Sequence, residues 1–137
     1  MTPTPMLWQV LYTKAHAEAW AEINVRRQGF ATLLPRVRQG SGFAPLFPRY
    51  IFSGYHTYLP MTSLRNTFGV LYVVRCGEQP ARVPVEVIEQ IRSRMDMHGV
   101  VRVGEVPSVD PLFAKPERER LRALEALVSA GFRVKVG

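Results

Sequence analysis

The chain has 137 residues, a formal net charge of +7 and a single cysteine. This length suits one domain with a tail and is too short for two full domains. No uncharged apolar run approaches the roughly 18 residues needed to cross a bilayer, the lone cysteine excludes an internal disulfide, and the first residues lack the parts of a signal peptide. We therefore expect a soluble, cytoplasmic protein without a membrane partner, and its arginine-rich positive charge favours a polyanionic one.

The pattern of apolar residues predicts an alternation of strands and helices. Alternation with a period of two indicates strands, and apolar residues at spacings of three or four indicate helices. In chain order the predicted elements are a strand at 8–13, a helix between Lys14 and Gly29, strands at 31–38 and 49–55, a short helix at 60–67, a strand at 70–76 and a helix that begins near Pro84. This order predicts an α+β fold, a ferredoxin-like β-α-β-β-α-β sandwich with an extra helix, in which the helices lie on one face of the sheet and the other face is open.

The last part of the chain has a different character. Residues 99–115 contain proline and lack periodicity, which indicates a linker after a domain at 1–98. Residues 116–130 favour a C-terminal amphipathic helix, within a tail that we place at 116–137. Its apolar stripe consists of Leu121, Leu124, Leu127 and Val128. A helix of this length is unstable alone, so we expect it to pack against another surface, and the open aromatic face of the sheet is the nearest candidate.

Enzyme chemistry finds no support in the sequence. The three histidines lie in unrelated contexts, and no paired Cys or His suggests a metal site. A serine elbow and a lysine-bearing phosphate loop are both missing from the sequence. We expect no enzyme activity, cofactor, metal ion or small-molecule substrate.

Two groups of side chains suggest binding instead. The first is aromatic and is predicted to line the open face, where tyrosine combines an apolar ring with a hydrated hydroxyl. It consists of Tyr12, Phe47, Tyr50 and Phe52. The second group is polar and basic and is predicted to lie towards one side of the domain. It consists of Lys14, Arg26, Arg27, Arg36, Arg38, Arg65, Asn66 and Thr67.

Several segments between residues 8 and 95 form a recognisable pattern. They are Leu11-Tyr12-Thr13-Lys14, Pro45-Leu46-Phe47-Pro48-Arg49-Tyr50-Ile51-Phe52, Gly69-Val70, Val74-Arg75-Cys76-Gly77 and Pro80-Ala81-Arg82-Val83-Pro84. Their order and spacing resemble the N-terminal domain of the NusG family of transcription elongation factors, and most closely its RfaH-like specialised paralogues. The ferredoxin-like fold of that domain agrees with the predicted order of elements.

The resemblance implies a factor that binds bacterial RNA polymerase and suppresses pausing or termination. The family's pocket for the clamp helices of the β′ subunit corresponds to the four aromatic residues of the open face. The contact with the gate loop of the β subunit corresponds to Thr62 and Ser63. The implied contact with the non-template DNA strand involves Lys14, Arg26, Arg27, Arg65, Asn66 and Thr67. Trp20, Asn24 and Phe68 replace the histidine and arginines that RfaH-like proteins use there, so the same DNA sequence preference is not implied.

The C-terminal tail departs from the family. Residues 131–137 resemble only the first strand of the usual KOW barrel, so recruitment of the ribosome or of Rho is not implied. In RfaH-like proteins a C-terminal segment covers the clamp pocket, and the amphipathic helix is a candidate for this role. The alternatives are that the helix pairs with a second copy of itself, or that it forms only because the rest of the barrel is absent. The alternative function is a stand-alone RNA-binding module, whose exposed aromatic residues would be surrounded by Arg and Lys.

Overall fold

A computed structural model of the chain describes residues 6–56, 62–104 and 110–132. In chain order its elements are β1 (Leu7–Thr13), α1 (Glu18–Arg26), β2 (Ala31–Leu33), β3 (Arg36–Gln39), β4 (Gly42–Pro45), β5 (Tyr50–Tyr55), α2 (Thr62–Arg65), β6 (Val70–Val73), β7 (Arg75–Cys76), β8 (Gln79–Pro80), β9 (Arg82–Val83), α3 (Val85–Ser93), a 3₁₀ turn (Pro111–Phe113) and α4 (Glu117–Ser129). The predicted α+β class is confirmed. Of the predicted remnant of a KOW strand at 131–137, residues 133–137 lie outside the described residues, as does the start of the predicted helix at 60–67.

The main sheet is antiparallel and has the strand order β2-β5-β1-β6, with β9 paired to the first part of β1. The strand predicted at 49–55 therefore lies inside the sheet as β5, between β1 and β2. Its register with β1 places Val10 opposite Phe52 and Leu11 opposite Ile51. Because neighbouring side chains along a strand point to opposite faces, this register gives the sheet two apolar faces.

Helices cover both of these faces. Ala21 and Val25 of α1 and Leu64 of α2 are buried with Leu11 and Ile51 on the first face. On the second face, the buried cluster contains residues of α3, the 3₁₀ turn and α4. The members from these elements are Val87, Ile88, Ile91, Leu112, Phe113, Leu124 and Val128. The expectation that the helices share one face and leave the other open was wrong, because the second apolar face requires its own cover.

The strand predicted at 31–38 is interrupted. β2 pairs with β5, whereas β3 leaves the main sheet and pairs with β4 in a separate two-stranded hairpin. Leu34 and Pro35 lie between the two strands, and Pro35 lacks the backbone N–H that a continuous ladder requires. The hairpin predicted between the second strand and β5 is therefore formed by β3 and β4.

Residues within the predicted linker at 99–115 pack against the domain where they are described. Val100 forms a parallel bridge with Arg36, and Val101 forms an antiparallel bridge with Met95. Further along, Phe113 is buried, and the guanidinium carbon of Arg94 lies 4.1 Å from the centre of its ring. These contacts bring α4 to the second face of the sheet.

Candidate functional site

Three tyrosines form a row across the second face of the sheet. Tyr12 of β1 lies opposite Tyr50 of β5 on one side and opposite Tyr72 of β6 on the other. The ring centres of Tyr12 and Tyr50 are 5.2 Å apart, and those of Tyr12 and Tyr72 are 5.0 Å apart. Tyr72 is 50% exposed, while the other two are half-buried. Sequence reasoning identified Tyr12 and Tyr50 and missed Tyr72, which joins this tyrosine row only through the strand register.

Arg49 fixes the centre of the tyrosine row. Its guanidinium carbon lies 4.4 Å from the centre of the Tyr12 ring, a cation–π distance, and its Nε donates to the carbonyl oxygen of Thr13 at 3.0 Å. Arg49 has a φ of 73°, which is unfavourable for a residue with a side chain. Its backbone N–H donates to the buried carboxylate of Glu18 at 2.9 Å. This contact offsets the strain and places a cation against the row, which the sequence pattern did not indicate.

Phe47 and Phe52 lie beneath the surface, next to the tyrosine row. They are 1% and 0% exposed and pack edge to face, with ring centres 6.0 Å apart. Leu124 and Val128 of α4 belong to the same buried cluster, and Leu121 and Leu127 pack at its margin. The aromatic set predicted for the open face is therefore brought together with the stripe predicted for the C-terminal helix.

α4 also reaches the edge of the tyrosine row. Burial raises the pKa of the Tyr50 hydroxyl to about 12, and the carboxylate of Glu125 is the second cause. Arg120 of α4 is 3% exposed, and its guanidinium donates to three backbone carbonyl oxygens. The acceptors are Leu46 at 3.0 Å, Ala114 at 2.9 Å and Lys115 at 2.6 Å. Burial lowers the pKa of Arg120. Apolar packing, a charge and hydrogen bonds thus all connect α4 to this face.

The basic and polar residues predicted to contact nucleic acid differ in their exposure and in their partners. Lys14, Arg27 and Asn66 are exposed. Arg26 is engaged with its neighbours, since it donates to the hydroxyl of Thr32 at 3.0 Å and lies 3.4 Å from the Glu22 carboxylate.

Thr67, a further member of that set, is 6% exposed. Its hydroxyl accepts from Gln28 at 2.5 Å and donates to the carbonyl oxygen of Ser63 at 2.8 Å, so it holds the chain after α2 against α1. Ser63, predicted for the gate-loop contact, is half-buried. The side chains of Thr62 and Arg65 are outside the described part of the structure.

Trp20 and Phe68, which the resemblance sets in place of DNA-contacting residues of RfaH-like proteins, form an aromatic pair on the surface. The rings of Trp20 and Phe68 stack with centres 5.7 Å apart and planes at 22°. They are 52% and 71% exposed. The two residues are distant in sequence, so only the fold reveals the pair.

A metal-binding cluster and a membrane-spanning helix are both absent from the part of the chain that the structure describes. Over residues 6–56, 62–104 and 110–132, no group of three or more His, Cys, Asp or Glu side chains is arranged to hold a metal ion. In the same part of the chain, no helix is both long enough and apolar enough to span a membrane.

A comparison with protein families identifies the domain that carries the tyrosine row. The family model described as transcription termination factor NusG matches residues 6–92, which is more than half of the chain. This range includes β1, β5 and β6 and ends within α3, so α4 lies beyond it. NusG-family proteins are transcription elongation or termination factors, not enzymes, and they bind RNA polymerase. By this match and by its α+β fold, the chain belongs to the NusG family.

Proposed function

We propose that this chain is an RfaH-like elongation and antitermination factor that binds the β′ clamp helices of bacterial RNA polymerase and suppresses pausing. The clamp helices would contact Tyr12, Tyr50 and Tyr72 and, once α4 has moved away, Phe47 and Phe52. The observation that supports this proposal best is the position of α4, a helix of the same chain, over the buried aromatic residues of the second face.

The face that α4 covers has the properties of a helix-binding groove. Leu124 is 0% exposed there and Val128 is 9% exposed, so an amphipathic helix already fits with its apolar stripe inward. Partners that bind in this mode present apolar anchors at helical spacing. The tips of a helical coiled coil match such a groove better than an extended peptide does.

α4 would then regulate access to the groove. A clamp helix and α4 require the same buried surface, so only chains with α4 displaced are competent to bind. The apparent affinity for polymerase is reduced by the fraction of competent chains. The proposed masking residues are Leu121, Leu124, Leu127 and Val128. No second copy of the chain is needed to bury Leu124 and Val128, which argues against pairing of two such helices.

The other contacts in the proposal involve the opposite side of the domain. We place the non-template DNA strand near the exposed residues Lys14, Arg27 and Asn66. Arg26, Arg65 and Thr67 belong to the same set through the family resemblance, and Thr62 and Ser63 are the proposed contacts for the β gate loop. Arg26 and Thr67 have partners within the domain, so they would act by supporting the surface.

A stand-alone RNA-binding module is the weaker alternative. Such a module stacks bases on aromatic residues exposed on its central strands. Here Phe52 is 0% exposed and Phe47 is 1% exposed, so neither ring is available to a base while α4 is in place. The tyrosine row has one guanidinium packed on it, that of Arg49, and lacks the surrounding cations that the alternative requires among the described contacts.

Binding to purified core RNA polymerase, measured with and without nucleic acid, tests the proposal. Tyr50→Ala should weaken binding by about 2 kcal/mol, roughly thirtyfold, as expected for an aromatic anchor. Phe43→Ala is the matched control, because Phe43 is also aromatic and half-exposed but lies on the separate hairpin. Equal affinity of the two variants, both shown to be folded, would reject the clamp-helix proposal.

A further inference from the structure

Arg49 places a positive charge beside the apolar groove that α4 covers. Its Nε donates to the carbonyl oxygen of Thr13, and its guanidinium carbon lies 4.4 Å from the centre of the Tyr12 ring. Among the described residues, no carboxylate forms an ion pair with this side chain. The buried carboxylate of Glu18 accepts the backbone N–H of Arg49 instead. The guanidinium can therefore still form an ion pair with a ligand.

α4 shows which charges an occupying helix brings to the surroundings of Arg49. Leu124 is buried in the groove, and Glu125 follows this apolar anchor directly. The pKa of Tyr50 is raised by burial first and by Glu125 second, while Arg49 lowers it, so both charges act on the same hydroxyl group. At the start of α4, Glu117 lines a cavity of about 360 Å³ together with Arg49. The helix that fills the groove thus supplies carboxylates near this guanidinium.

The environment of Arg49 makes its charge selective. The guanidinium is already held against the Tyr12 ring, so it loses little conformational freedom when an anion binds. Arg49 is half-buried beside an apolar groove, so water and salt screen its charge less than at an open surface. A carboxylate that enters here gains an ion pair, whereas a lysine or arginine meets a like charge. Arg49 can therefore distinguish between helices that are equally apolar.

We infer that Arg49 is a specificity-determining residue, which selects helices that carry an acidic side chain beside the apolar anchor in the groove. The inference rests on the proposed function, because it specifies the chemistry of the partner helix at that site. A carboxylate of the partner takes the place of Glu125 when α4 leaves. The tyrosine row and the apolar groove accept any helix with suitable anchors, and Arg49 adds the requirement for negative charge.

Binding to core RNA polymerase without nucleic acid measures the role of Arg49. The parent protein is the full chain with Leu124→Glu, because weaker docking of α4 would otherwise offset the loss of a partner contact. In this background Arg49→Asn should weaken binding about tenfold at low salt, and the loss should be smaller at high salt. Asparagine tolerates a positive φ and keeps the N–H that Glu18 accepts. Arg49→Lys keeps the charge and should retain most of the affinity.

Two further variants control for effects on the fold. Arg38→Asn is the matched control, because Arg38 also lies over an aromatic ring, that of Phe43, but on the separate β3–β4 hairpin. It should leave the affinity unchanged. Arg49→Gly relieves the positive φ and is a second neutral variant, which should show the same loss as Arg49→Asn.

Two results would overturn the inference. The first is equal polymerase affinity of the parent, Arg49→Asn and Arg49→Gly chains, all shown to be folded. The second is a loss that is the same at low and high salt and that Arg49→Lys does not restore, since it would assign Arg49 a purely structural role. Tyr50→Ala in the same background tests the groove itself. If Tyr50→Ala weakens binding and Arg49→Asn does not, the charge requirement fails while the clamp-helix proposal stands. The reverse pattern keeps the charge requirement and rejects the aromatic anchor.

Discussion

The Nε of Arg120 donates to the carbonyl oxygen of Leu46 at 3.0 Å and so connects α4 with the segment that leads into β5. The Arg120 side chain is buried, and the same guanidinium also satisfies the carbonyl oxygens of Ala114 and Lys115. Buried carbonyl groups without a donor cost free energy, so a single side chain stabilises both the start of α4 and its attachment to the domain.

Replacing Arg120 should therefore loosen α4. Arg120→Ala removes three charge-assisted hydrogen bonds and leaves a cavity, and we expect it to reduce the free energy of unfolding by about 2 kcal/mol or more. If α4 masks the groove, the same variant should also bind core polymerase more tightly. Arg122→Ala is the control, because Arg122 is an exposed arginine on the same helix. Equal denaturation midpoints for the two variants would show that the buried contacts contribute little.

The turn after α3 allows a prediction about the stability of the fold that does not depend on the groove covered by α4. The Asp96 carboxylate accepts the N–H groups of His98 at 2.8 Å and Val100 at 3.0 Å, and these bonds lower the pKa of Asp96. The turn presents Val100 to Arg36 of β3. Asp96→Ala should lower the melting temperature at pH 7, whereas Glu89→Ala, an exposed substitution on α3, should not.

The pH dependence of the stabilisation by Asp96 follows from the direction in which its pKa is shifted. Because the folded pKa of Asp96 is below its ordinary value of 3.8, the carboxylate stabilises the fold above pH 3.8 and loses that contribution as the pH falls through the lowered value. The difference in melting temperature between wild type and Asp96→Ala should narrow under acid conditions. A difference that stays constant from pH 7 to the acid limit would assign the effect to something other than the carboxylate.

The α+β class of the fold could be predicted from the local pattern of apolar residues. The same pattern indicated that both faces of the sheet are apolar and that the second face must be covered. Period-two alternation places Tyr50 and Phe52 on one side of β5 and Ile51 and Tyr55 on the other, and the two buried clusters divide in this way. The face that α3 covers could not be predicted, because an apolar stripe on a helix does not specify which face of a sheet receives it.

The functional surfaces were predicted less completely, because they depend on contacts between distant residues. Tyr72 joins Tyr12 through strand register, and Phe68 meets Trp20 through the close approach of a glycine turn to α1. Neither contact leaves a local signal in the sequence. Thr67 is predicted from sequence as a ligand contact, and its hydrogen bonds with Gln28 and Ser63 inside the domain were likewise not indicated by the sequence.

Removal of the C-terminal segment tests masking directly. A chain that ends after Ser108 lacks α4 and the 3₁₀ turn. We expect it to bind core polymerase more tightly than the full chain, because only the fraction of full chains with α4 displaced is competent to bind. The ratio of the two affinities should equal the inverse of that fraction. Because truncation also removes the buried residues Leu112 and Phe113, Leu124→Glu in the full chain is a second route to undocking that keeps the length unchanged. Equal affinity of all three proteins, measured side by side, would leave α4 without a regulatory role.

The ionisation of Tyr50 reports whether α4 is docked, without any partner present. Burial first and Glu125 second raise the pKa of Tyr50 from 10.0 to about 12. Since the folded value exceeds the unfolded one, this tyrosine contributes stability that is complete below pH 10 and is lost as the pH rises towards 12. In the full chain the ¹³Cζ resonance of Tyr50, assigned with Tyr50→Phe, should therefore hardly move between pH 9 and pH 10.5. Ending the chain after Ser108 removes Glu125 and the part of the burial that α4 provides, so the titration should move down towards pH 10, while Glu125→Gln should lower it by a smaller amount. Identical titration curves for the full and shortened chains would mean that α4 does not cover Tyr50 in solution.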